Sequence, residues 1–171
     1  MSPATEQFAN ALHRHQARVY SIAFRILGES GAAEEVAQDV FLELHRSLSR
    51  LKSEQHVVAW LRRVTCHRAI DALRRRAARS GTTREEWDEN TLPMPEPLLP
   101  SPLMNRVERL LFTLSPAQRT VIILRYQEDM EPEDIAIELA MPLATVRSHL
   151  QRGLQLLRDK AERTLKEYIR G

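Results

Sequence analysis

Five of the nine prolines in this 171-residue chain fall between Pro93 and Pro102, in the run LPMPEPLLPSP. Proline removes a backbone donor and drives the residue before it into extended conformations, so neither a helix nor a central strand continues through such a run. The chain is thereby divided into an N-terminal piece, 1–80, and a C-terminal piece, 101–171, joined by a flexible, Pro-rich linker over 81–100 that is acidic first and extended afterwards. Pieces of about 70–80 residues are small for a single core, and helical bundles are the economical way to close one at that size. Composition agrees. Aromatic residues make up 5% of the chain and glycine only 5 residues, too few for a β-sandwich or barrel with its aromatic strands and glycine turns. The fold class expected is therefore all-α, in two small helical domains.

The same composition excludes several function classes. There is no GxGxxG and no GxxxxGK[ST], so no glycine-rich phosphate loop. The single cysteine, Cys66, allows neither an intramolecular disulfide nor a cysteine-based zinc finger, and the six histidines show no zinc-ligand spacing. No nucleophile–base pairing is visible, and we expect no enzyme, no metal, no cofactor and no small-molecule substrate. No apolar run approaches ~18 residues and no signal pattern opens the chain, which predicts a reducing, cytoplasmic setting without membrane insertion.

The net charge of +2, from 25 basic and 23 acidic residues, suggests no strong pull toward any partner. The distribution contradicts that. Seven arginines and one acid lie between Arg62 and Arg79, and seven bases and three acids between Arg147 and Arg170. Five acids and no base lie between Glu85 and Glu96, and six acids and no base between Glu128 and Glu138. One such block is ordinarily a solvated helix face; two arginine blocks on two separate helices are harder to explain that way.

Punctuation predicts the helices. Ser2-Pro3 caps a first helix carrying Phe8, Leu12, Val19, Ile22 and Ile26, and Gly28 ends it. A second follows Ser30, with Val36, Val40, Phe41 and Leu44 apolar. A third runs from near Ser53 through Val57, Trp60, Leu61, Val64 and Leu73 to about Arg79. In the C-terminal piece Ser101-Pro102 opens one helix, and the capping box Ser115-Pro116-Ala117-Gln118 opens another containing Val121, Ile122 and Leu124. Pro132 opens a short helix, Ala140-Met141-Pro142 breaks it, and a long one runs from near Leu143 to about Tyr168.

That last pair has helix-turn-helix grammar. Val146, Leu150, Leu154 and Leu157 form the buried stripe of the second helix, which leaves Thr145, Arg147, Ser148, Gln151, Arg152 and Gln155 outward. Arg can bind guanine O6 and N7 together, Gln can bind adenine, and Ser or Thr can anchor on phosphate. The plain alternative is a bundle helix with a polar outer face. The acidic first helix (Glu131, Glu133, Asp134, Glu138) suits a basic protein surface or solvent better than a phosphate backbone.

Taken in order, these segments resemble the extracytoplasmic-function (ECF) sigma factors, the two-domain minimal form of the bacterial RNA polymerase sigma family. The resemblance is carried by Ala33-Glu34-Glu35-Val36-Ala37-Gln38-Asp39-Val40-Phe41, by Trp60-Leu61-Arg62-Arg63 through Asp71 to Arg74-Arg75-Arg76, by Leu114 to Tyr126, and by Asp134-Ile135-Ala136 with Ala144-Thr145-Val146-Arg147-Ser148. It departs from the family where His67 replaces a usual asparagine, where Ala140 and Ala144 replace turn glycines, and where Glu131 stands at a common Ser or Thr cap.

The resemblance implies a transcription initiation factor. Glu35, Gln38, Asp39 and Phe41 would bind core RNA polymerase on the β′ clamp helices, although Phe41 can equally be core. Arg62, Arg63, His67, Arg68, Arg74, Arg75, Arg76 and Arg79 would hold the −10 promoter element, with Trp60 as core or as a melting wedge. Thr145, Arg147, Ser148, Gln151 and Arg152 would read the −35 element. The partners implied are core polymerase, including the β flap, promoter DNA and an anti-sigma factor. A helix-turn-helix regulator acting without polymerase would instead predict a dimer on a palindromic site, and a helical protein adaptor would predict no DNA binding at all.

Overall fold

The computed structural model describes residues 1–79, Gly81 and 102–170, without the side chains of 102–105 and 168. Of the linker expected over 81–100, all but Gly81 lies outside the described residues. The described residues are helical, with no strand among them, and fall into two compact units, Met1–Arg76 and Ala77–Gly171.

The first unit holds α1 (Pro3–Leu27), α2 (Ser30–Ser47), a 3₁₀ turn (Leu48–Arg50) and all but the last three residues of α3 (Glu54–Arg79). α1 starts where expected: Ser2 accepts a hydrogen bond from the Thr5 amide, and Gly28 closes the helix at φ 73°. α2 begins one residue early. Ser30 is already helical, and Glu29 takes the cap position without capping through its side chain. The Glu29 carboxylate instead accepts from Arg76 on α3 at 2.9 Å. Ser53 caps α3, its hydroxyl accepting from the His56 amide at 3.1 Å. Ile22, Phe24 and Leu27 of α1, Val40 and Leu44 of α2, and Leu61, Cys66 and Leu73 of α3 make the core. Trp60 is buried at 8% exposure, a core residue in this structure. His15, buried on α1, shares a 2.8 Å hydrogen bond with Glu54 at the start of α3. The hydrogen bond from Arg14 holds the Glu54 carboxyl below its ordinary value, with His15 adding to the effect.

The second unit holds α4 (Pro102–Leu111), α5 (Pro116–Ile122), a π-helical segment (Ile123–Gln127), α6 (Pro132–Leu139) and α7 (Leu143–Arg170). The capping box is complete: Ser115 Oγ accepts from the Gln118 amide at 3.2 Å and Gln118 Oε1 accepts from the Ser115 amide at 3.3 Å. The helix expected to carry Leu124 does not stay α-helical that far. It widens after Ile122, with the Glu128 amide reaching back to the Ile123 carbonyl at 3.2 Å. The wider turn keeps Ile123 and Leu124 buried while leaving Tyr126 57% exposed. Phe112, Leu114, Val121, Leu124, Ile135 and Val146 fill the centre of this unit.

Arg119 is fully buried at 0% exposure, its guanidinium 4.5 Å from the Phe112 ring centroid and donating to the Leu114 carbonyl at 3.3 Å. Burial pushes its pKa down to about 9, so it is still a cation at neutral pH. Gly153 of α7 lies against α5, where a Cβ would come within 2.6 Å of Ile122 Cδ1. Ala140 ends α6 in the left-handed region, φ 51° and ψ 45°, the conformation glycine adopts without penalty. Ala140→Gly is accordingly expected to stabilise the second unit by about 0.5–1 kcal/mol, read as a raised denaturant midpoint at constant slope.

Candidate nucleic-acid interfaces

α7 presents a polar outer face because Val146 and Leu150 are buried beneath it while Leu154 and Leu157 are half-covered. Arg147, Gln151 and Arg152 are exposed; Thr145 and Ser148 are half-buried beside them. Gln155 donates to Asp159 at 2.9 Å, one turn further along the helix. Arg147 is not an isolated cation: its Nη2 lies 3.1 Å from Glu133 Oε1, in the first turn of α6.

α3 divides its basic residues between two environments. Arg63, His67, Arg75 and Arg79 recur every fourth residue and are exposed, with Asp71 in the same row and Arg74 exposed beside it. Arg62 is half-buried, and its Nε is buried without a hydrogen-bond partner. Arg68 and Arg76 face the body of the first unit. Arg68 donates through Nε to Glu43 Oε2 at 3.1 Å and through Nη2 to the same oxygen, with Asp39 3.9 Å from Nη1. Arg76 is held by Glu29. Expected as phosphate contacts, these two also tie α3 to α2 and its cap, and their side chains stay 40% and 39% exposed.

On α2, Glu35, Gln38 and Asp39 are exposed and share a face with Leu42, which is 62% exposed. Phe41 differs from them: at 7% exposure it belongs to the core, because α1 covers it. Its remaining edge joins Phe8, Leu12, Tyr20, Ala37 and Leu42 in a largely apolar groove of about 730 Å³ between α1 and α2. Among the described residues there is no group of three or more His, Cys, Asp or Glu side chains placed to hold a metal ion, and no helix long and apolar enough to cross a membrane.

Residues 11–79 match Sigma-70 region 2 and residues 104–157 match Sigma-70 region 4. The ECF RNA polymerase sigma factor SigK of Mycolicibacterium vanbaalenii is 31% identical over 160 residues, covering 90% of this chain and 81% of that protein. The chain belongs to the ECF sigma factor family. SigE of Mycolicibacterium smegmatis is 32% identical over 152 residues, which span 86% of this chain and 59% of SigE. SigW of Bacillus subtilis is 25% identical over 91% of this chain and 89% of its own length. The sigma factor RpoE of Bartonella quintana, solved with the anti-sigma factor NepR, superposes with a TM-score of 0.67 over 92% of this chain and 98% of RpoE. At 19% identity that likeness bears on the fold.

Membership makes this sigma factor a transcription initiation factor that directs RNA polymerase to promoters. Region 2 spans nearly all of α1 to α3, and region 4 the helices from α4 into α7. Reasoning from sequence missed the acids that partner the basic rows, Glu29, Glu43 and Glu133. Their signal was present: each sits on the helix preceding its arginine or, for Glu29, at that helix's cap.

Proposed function

We propose that the three surfaces of this sigma factor divide the work of initiation. The exposed face of α2, with Glu35, Gln38 and Asp39, binds the β′ clamp helices of core polymerase, and the edge of Phe41 floors the groove beside it. The exposed row of α3, with Arg62, Arg63, His67, Arg74, Arg75 and Arg79, engages the −10 element; Arg68 and Arg76 shape that row from behind. Capture of unpaired bases there favours the melted duplex over the closed one, offsetting a few kcal/mol of unstacking. The outward face of α7, with Thr145, Arg147, Ser148, Gln151 and Arg152, reads the −35 element while the second unit reaches the β flap.

The observation that carries this reading is the α7 face itself: Arg147, Gln151 and Arg152 stand exposed on one side of a helix whose other side is seated on α5. Two weak DNA modules on one chain gain avidity once polymerase fixes their separation. The catalytic chemistry is the polymerase's, the setting is the cytoplasm, and an anti-sigma factor is the expected antagonist, as NepR is the partner of RpoE in its solved structure.

Reconstitution tests the reading. The full chain mixed with core RNA polymerase and a library of promoter fragments should co-purify with core and give a promoter-dependent transcript. Failure of either would overturn it.

A further inference from the structure

We infer that Glu133 is a positioning residue for base reading: it holds the Arg147 guanidinium and so sets which base the recognition helix prefers at one position of the −35 element. The inference rests on the −35 reading proposed above. Glu133 lies in the first turn of α6 and Arg147 in the first turn and a half of α7, 14 residues apart in sequence but 3.1 Å apart between Oε1 and Nη2. Both side chains stand in solvent, 57% and 62% exposed, so the pair adds little to folding. Its effect falls on recognition.

An arginine without a partner on a helix surface samples many rotamers and contacts whichever phosphate is near, which adds affinity without sequence information. A carboxylate on one Nη changes both properties. It fixes the direction of the guanidinium plane, leaving the remaining N–H groups as a prearranged fork for guanine O6 and N7. It also cancels the charge that would otherwise draw Arg147 to the nearest phosphate. The acidity of α6, awkward for a helix beside DNA, then has a local purpose. Asp134, the next residue and also exposed, shares the helix turn and the charge, and no ion pair joins it to Arg147.

The test uses the full chain with core polymerase and a duplex library randomised across the upstream element. Selection with the unaltered holoenzyme should yield a position whose preference falls roughly tenfold or more in Arg147→Ala. Glu133→Ala should flatten that same position at least threefold (about half a decade or more), leaving the other positions as they were. On random-sequence duplex, Glu133→Ala in the full chain should steepen the salt dependence of binding by about 0.9 in log K against log salt, the signature of one new phosphate contact. Asp134→Ala should change neither the base profile nor the slope. A Glu133→Ala profile and slope equal to those of the unaltered protein would overturn the inference alone. Asp134→Ala reproducing Glu133→Ala would also overturn it, since charge and not pairing would then be responsible. An Arg147→Ala profile unchanged at every position would overturn the −35 reading together with it.

Discussion

Arg119→Ala should unfold the C-terminal unit at temperatures where the N-terminal unit remains folded. Arg119 is among the largest fully buried side chains of the protein. Truncation to alanine leaves a cavity, withdraws the donor from the Leu114 carbonyl and removes the cation from the Phe112 face. A cavity of that size together with a stranded buried acceptor costs about 3 kcal/mol or more. Against a small unit whose total stability lies near the low end of about 5–15 kcal/mol, that is most of what holds it. The midpoint of the C-terminal transition should fall by roughly 15 °C in calorimetry, at about 4–8 °C per kcal/mol. Arg119→Met is the informative companion. It restores much of the volume and removes the charge whose burial pulls the pKa down to about 9. Methionine strands the Leu114 carbonyl as alanine does but fills most of the space, so it should be milder than alanine by about 1–2 kcal/mol, the cavity part of the loss. If alanine and methionine are equally mild, the buried guanidinium is not what organises this core.

The second large effect concerns binding. Arg147→Ala and Arg152→Ala should each weaken upstream-element binding by about 1–3 kcal/mol, or roughly 5- to 150-fold, and should leave core-polymerase binding intact. Fluorescence anisotropy on the selected duplex measures the first quantity and co-purification with core the second. Neither side chain supports the fold: both are exposed on the face of α7 opposite Val146 and Leu150. Equal loss of DNA and core binding would make the helix a structural element and return the recognition role elsewhere.

How far the chain could be read in advance follows from the range of the interactions involved. Caps and turns are local, so Ser2, Gly28, Ser115 with Gln118, and Pro132 were legible and stand at their helix ends. The stripe of α7 was legible for the same reason, since Val146 and Leu150 follow from helical period alone. The proline run suggested two domains, and the resemblance to ECF sigma factors identified them as regions 2 and 4. What escaped depends on contacts made across the fold. Arg119 reads in sequence as one more surface cation, and only the convergence of Phe112 and Leu114 on it reveals a core residue. The widening of the helix after Ile122 has no compositional mark. Arg68 and Arg76 looked like members of one basic block, yet helical geometry turns them toward Glu43 and Glu29.

Gly153 separates two properties of the C-terminal unit. It is the seat on which the recognition helix rests, a Cβ there meeting Ile122 at 2.6 Å, and it lies on the side of α7 away from Arg147, Ser148, Gln151 and Arg152. Depth and vocabulary are therefore separated on a single helix. One glycine and the isoleucine beneath it govern how far the helix stands out from its support, while on the proposed reading four or five outward side chains govern what it reads. On the proposed −35 reading, exchanging those outward residues should alter the promoters addressed without reseating the helix, so new specificities should be obtainable by holding position 153 fixed and varying only the exposed face.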